Sequence, residues 1–246
     1  MLELTRETFA LEGGSEQDLE RAAKVAVGLD KLTDRFALDG LTYYYRGLEG
    51  NRYERLGAGL ILGKPLVTAR GFPASGDGDL KTCLAMMTMD RLRAGGSFTE
   101  FHAMEFFENF VLMGHDGPGQ LAISDRKPLL RGLGLYHGKR GCGVSVEFTF
   151  RPGPVTVLAM TQTADGHLKM ICAEGEFIPG PILRIGKTDS RLQFALGPAE
   201  FVKRWCEESM THHCALGGGH NRGALAKLSE LTGIPLATIG WGEPLR

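Results

Sequence analysis

With 246 residues and 43% hydrophobic content, the chain is long enough for one large domain or two small ones around a genuine core. Its 28 basic and 29 acidic residues leave a net charge of −1, which implies no basic face and makes nucleic acid and anionic membranes weak partner candidates. No apolar run approaches the roughly 20 residues of a membrane span, and the N-terminal M-L-E-L-T-R-E lacks a signal-peptide apolar core.

Ser15, followed three residues later by Asp18, resembles a helix cap, and Leu19, Ala22, Ala26 and Leu29 recur at helical spacing. Together they predict a helix over residues 16–32. The segment Leu38 to Tyr45, L-D-G-L-T-Y-Y-Y, is rich in strand formers. Asn51 to Leu62 reads as helical despite Gly57 and Gly59, and Pro65 to Ala69 reads as a further short strand. This alternation has the character of the end of an α/β domain. Asp79 to Arg93 then reads as a helix with Leu80, Leu84, Met87 and Leu92 on one face and Gly95-Gly96 as its stop.

From Phe98 to Phe194 the chain changes to short apolar or alternating runs broken by Gly, Pro and Asp. Asp165-Gly166 is a strong hairpin signal between two of them, and the spacing predicts an antiparallel barrel or sandwich. Helical patterns return over Ala199–Cys206 and Arg222–Leu231, and Leu236–Ile239 reads as a last strand. There is no internal repeat and no low-complexity linker. The five cysteines (Cys83, Cys142, Cys172, Cys206, Cys214) are odd in number and lack Cys-x-x-Cys spacing, as expected of reduced thiols in a cytoplasmic protein.

The stretch from Asp77 to His115 holds the chemistry. Asp77 stands at the entrance of the Asp79–Arg93 helix, Glu100 begins the segment beyond it, and His115 closes the apolar run V-L-M-G-H. A second imidazole source lies far along the chain in Thr211-His212-His213-Cys214. Carboxylates suit hard divalent cations, neutral imidazoles add nitrogen donors, and a carboxylate beside an ion can also move protons. Each residue has a structural reading too: Asp77 as a helix cap, Glu100 as a surface acid, His115 as a solvated turn histidine. Cys214 lacks a third residue to orient a thiol–imidazole pair. Gly217–His220 lacks the Lys-Ser/Thr pair of a phosphate loop and reads as backbone packing. Glu147, on an alternating strand, reads as solvent-facing, and Met86, Met87 and Met89 read as core filling.

Several of these stretches resemble the L-fucose isomerase / L-arabinose isomerase family. They are G-D-G-D-L-K-T (Gly76–Thr82), G-G-S-F-T-E (Gly95–Glu100), V-L-M-G-H-D-G-P (Val111–Pro118) and T-H-H-C-A-L (Thr211–Leu216), together with Gly153–Thr163. The resemblance covers most of residues 35 to 239. It implies α/β plus β architecture: a C-terminal part of a Rossmann-like α/β domain over residues 1–95, then an antiparallel β-barrel domain over residues 96–246 with C-terminal helices. Family members are about twice this length, with further α/β domains ahead, so the expectation is a chain that begins inside such a domain.

By the same resemblance, Asp77, Glu100, His115 and His213 surround a Mn²⁺ ion (or Mg²⁺ or Co²⁺), and His212 contacts substrate. The family carries glutamate where this chain has Asp77. The implied reaction interconverts aldose and ketose forms of a monosaccharide such as L-fucose, D-arabinose or L-arabinose through a metal-stabilised cis-enediol, with Asp77 and Glu100 as the catalytic carboxylates. A homo-oligomer, trimer or hexamer, is implied as well. Two alternatives stand beside this: a non-catalytic metal- or sugar-binding remnant or piece of a split isomerase, and an isomerase of a 6-substituted deoxy sugar.

Overall fold

The computed structural model describes residues 1–44, 54–136, 139–140, 143–208 and 211–240. In chain order the elements begin α1 (Leu2–Thr8), β1 (Ala10–Glu12), α2 (Glu16–Arg35), β2 (Leu41–Thr42), α3 (Glu54–Thr68), β3 (Ala74–Ser75) and α4 (Leu80–Arg91). Strands β4 (Ser97–Glu105), β5 (Phe110–His115), β6 (Leu129–Gly132), β7 (Leu135–Tyr136), β8 (Lys139–Arg140), β9 (Val144–Glu147), β10 (Gly153–Gln162), β11 (Leu168–Ile178) and β12 (Thr188–Phe194) follow. The chain continues through α5 (Pro198–Glu208), β13 (His213–Gly218), α6 (Arg222–Thr232) and β14 (Leu236–Ile239).

Six strands close an antiparallel barrel in the order β10-β13-β4-β5-β12-β11, and β10 pairs with β11 from Gly153↔Phe177 to Gln162↔Leu168 to complete the ring. Asp165-Gly166 forms the hairpin turn, with Gly166 at φ 87°. Alternation along β10 and β11 feeds two cores. Val155, Val157, Ala159, Ile171 and Ala173 join one cluster, while Leu158, Met160, Met170 and Cys172 join the other, with Met86 and Met89 of α4 and Leu225 of α6. Both faces of these strands are therefore covered, which explains their nearly unbroken apolar sequence.

The helical segments pack onto this ring. Ser15 caps α2 by accepting from the Asp18 amide at 3.1 Å, and Leu19, Ala22, Ala26 and Leu29 are buried as their spacing predicts. Leu19 and Ala22 share a cluster with Ile61 and Leu62 of α3 and with barrel residues such as Val155 and Leu192. Strands β2 and β3 form a two-stranded parallel pair. The strand expected over Leu38–Tyr45 contracts to Leu41–Thr42 within the described residues. Residues 51–53 of the expected Asn51–Leu62 helix, Tyr45 and Cys142 lie outside the described residues.

Two expectations are overturned. Pro65 to Thr68 is not a strand but the last turn of α3, where the Ala69 amide donates to the Pro65 carbonyl at 2.9 Å. The helix tolerates a proline because Gly59 and Gly63 let it approach α2 against Val25 and Ala26, and that packing outweighs one lost hydrogen bond. Glu147 does not face solvent but is fully buried. All four residues of β9 are buried, and Glu147 receives the Arg131 guanidinium at 2.9 Å and the Gly186 amide at 2.8 Å.

Removing one partner of a buried ion pair strands the other. Glu147→Ala should therefore lower stability by about 3 kcal/mol in urea unfolding, and Glu147→Gln, which keeps an acceptor for Gly186, should lose less.

Candidate metal centre

Strand register brings the predicted residues together. Glu100 on β4 is directly opposite His213 on β13 and opposite Gly114 on β5, so the last residue of β5, His115, lies beside them. A Cβ on Gly114 would collide with the Thr188 carbonyl, so the β5–β12 approach that seats His115 requires glycine here. The β3–α4 turn, Gly76-Asp77-Gly78, then folds over this end of the barrel. Asp77 adopts φ 55°, a conformation that a short acidic side chain tolerates better than most. The helix cap is Asp79, not Asp77: its carboxylate accepts from the Thr82 amide at 2.9 Å and from the Thr82 hydroxyl at 2.7 Å. Asp77 is thereby left to point at the histidines.

Both buried imidazoles are tethered in the same way. His213 Nδ1 lies 3.1 Å from Asp79 Oδ2, and His115 Nδ1 lies 3.0 Å from both the backbone and a side-chain oxygen of Asp116. Their Nε2 atoms both turn to Asp77 Oδ2, at 3.3 Å for His115 and 3.5 Å for His213. The Phe98 ring packs against both, with centroids 4.6 Å and 4.7 Å away. Glu100 Oε2 lies 3.9 Å from Nε2 of both His213 and the exposed His212.

Charge is concentrated here. The hydrogen bond from His115 and the positive field of His115 and His213 lower the pKa of Asp77 against burial. Burial would raise Asp79, but its bonds with His213 and Thr82 prevail and lower it to about 2. Burial would likewise raise Glu100, and contacts with His102, His115 and Lys187 instead lower it to about 2. Burial opposes a charged His115, yet Asp116 and Asp77 raise it to about 9. Burial and the neighbouring His213 lower His212.

Two overlapping groups of donors lie within 4.8 Å of one another: Asp77, His115 and His213, and Glu100, His212 and His213. Nε2 of His213 is buried and makes no hydrogen bond among the described residues. Imidazoles held at one nitrogen by a carboxylate, with the other aimed inward beside acidic oxygens, form a mixed N/O donor set that could hold a metal ion. A cavity of about 870 Å³ opens above, lined by Tyr44, Asp77, Lys81, Gln162, His212 and His213 among others.

All five predicted site residues thus meet at one end of the barrel. Sequence reading missed Asp79, His102, Asp116, Lys187 and Asp189, whose positions depend on register and turns. It also missed Lys64, a fully buried lysine whose Nζ lies 4.3 Å from the Tyr43 ring centroid. Burial lowers Lys64 to about 8, against the pull of Asp116 and Asp77. Cys214 faces the core instead, and burial raises its thiol well above the usual value, so it is no thiolate. The sequence matches no protein-family model and no curated protein.

A carboxyl with a depressed folded pKa stabilises the fold above its ordinary pKa and loses that contribution as pH falls toward the folded one. A histidine raised in the fold contributes fully below its ordinary pKa and loses the contribution as pH climbs through the folded one. The metal-free protein should therefore melt highest between about pH 4.5 and 6.5, less toward pH 2 as Asp79 and Glu100 protonate, and less toward pH 9 as His115 deprotonates. Calorimetric melting in chelator measures this, and Asp79→Asn should flatten the acid limb.

Proposed function

We propose that this chain is a metal-dependent aldose–ketose isomerase acting on a small monosaccharide, of the type its motifs resemble. One observation carries the reading. Two buried imidazoles, each tethered by a carboxylate, aim their free nitrogens at Asp77 on the floor of a cavity large enough for an open-chain sugar. Asp77, His115 and His213 bring ligand atoms within 4.8 Å of one another, and Glu100 shares a second such group with His213; in this reading the four would together hold an ion such as Mn²⁺. Bound there, the ion supplies Lewis acidity that weakens the C–H bond beside the sugar carbonyl.

The side chains do the rest. Glu100 stays ionised at neutral pH beside His102 and Lys187, and an ionised carboxylate is what a base must be to accept the C2 proton. Isomerisation returns that proton to C1 while the O2 hydroxyl proton passes to O1, and in this reading Asp77 and Glu100 share the carbon-to-carbon transfer. His212, exposed on the cavity wall, would meet a sugar hydroxyl. The Phe98 ring keeps water from the underside of both imidazoles, so charges above it interact through a less screening medium. In this reading the β2–α3–β3–α4 segment is the end of a Rossmann-like layer that brings Asp77 to the barrel.

Titration calorimetry should show one Mn²⁺ per chain, with weaker uptake at acid pH because ligand imidazoles must be neutral. Binding should be lost in the double variant Glu100→Gln/His213→Ala. With Mn²⁺ present, a panel of L-fucose, D-arabinose, L-arabinose and L-rhamnose should yield ketose, and Glu100→Gln should slow that conversion by about two to three orders of magnitude. Uptake of the ion with no sugar converted would instead favour a non-catalytic metal- or sugar-binding module.

A further inference from the structure

Glu100 is held from two sides. Its Oε2 faces the imidazoles of His212 and His213, whereas its Oε1 lies 3.3 Å from His102 Nε2 and 3.4 Å from Lys187 Nζ. His102 owes its place to an irregularity in the barrel: pairing between β4 and β5 passes from Phe101↔Met113 to Ala103↔Leu112, leaving His102 as the extra residue of a bulge. Bulges re-aim side chains, and they recur beside functional sites.

Behind the imidazole stands Asp189 on β12. Its Oδ1 accepts from His102 Nδ1 at 2.8 Å. This carboxylate is 2% exposed, and its second oxygen, Oδ2, makes no hydrogen bond among the described residues. A buried acid with a bare oxygen is costly, and a position needed only for packing is filled more favourably by an apolar side chain. The hydrogen bond it accepts fixes the ring plane and turns Nε2 toward Glu100.

We infer that His102, backed by Asp189, is a positioning residue that holds Glu100 Oε1 away from the ion, so that Oε2 alone is presented to metal and substrate. The inference rests on the reading of Glu100 as ligand and proton carrier. It extends the hydrogen-bonded shell, already present behind His115 and His213, to the carboxylate arm of the site.

Mn²⁺ titration of the full chain tests it, with thermal melting as the control for folding. His102→Phe fills the space without a donor and should weaken Mn²⁺ binding by about 10–100-fold, the range seen when outer partners of metal ligands are removed. His102→Gln returns an N–H near the Nε2 position and should recover most of that loss, which a purely structural role would not require. Asp189→Asn, which keeps the shape and removes the charge, should weaken binding in the same direction and decides the matter if His102→Phe does not fold. Wild-type affinity in His102→Phe, equal losses in the Phe and Gln variants, or wild-type affinity in Asp189→Asn alone would each overturn the inference while leaving the metal site standing. No Mn²⁺ uptake by the wild type would remove the metal reading and this inference with it.

Discussion

The hydrogen bond between Asp79 and His213 joins two parts of the molecule that the chain keeps far apart. Asp79 opens α4 by accepting from Thr82, and the same carboxylate sets the orientation of an imidazole on β13. Capping alone is worth about 1 kcal/mol. Here the cap also decides which nitrogen of His213 faces inward and leaves Asp77, two residues earlier, as the free carboxylate. Helix start, barrel strand and candidate ion site are thus one electrostatic unit. Weakening the cap would disturb the site before it disturbed the core.

Closure of the barrel gives that unit its frame. Because β10 pairs with both β11 and β13, every one of the six strands has neighbours on both sides, and the register that sets Glu100 against His213 cannot slip without moving whole rows of side chains between the two cores. Trp205 of α5 adds a further restraint. Its indole N–H donates to the Thr211 carbonyl at 2.9 Å, steadying the approach to His212 and His213.

Much of this was legible in the residues, for physical reasons that can be named. Ser15 with Asp18, Asp165-Gly166 and the apolar spacing of Leu19, Ala22 and Ala26 are local signals, and local chemistry decided those elements. Pro65 misled because tertiary packing through Gly59 and Gly63 overrode a local preference. Glu147 misled because alternation predicts exposure only where one strand face meets water, and β9 has both faces covered. Asp77, Glu100, His115 and His213 could be chosen by residue type and motif. Their supports could not: Asp189 reaches His102 only through a bulge, and Lys64 enters from a helix whose burial shows only in the assembled molecule.

The two halves of the site differ in how they are anchored. Glu100, His115 and His213 project from a ring of paired strands, the kind of element that opens last in a fold. Asp77 rides on a glycine-flanked turn with a strained backbone angle, the kind of segment that rearranges at small cost. The barrel offers a stiff wall and the turn a latch. Asp77 already rests against both imidazoles, so in this structure the latch lies shut on the wall.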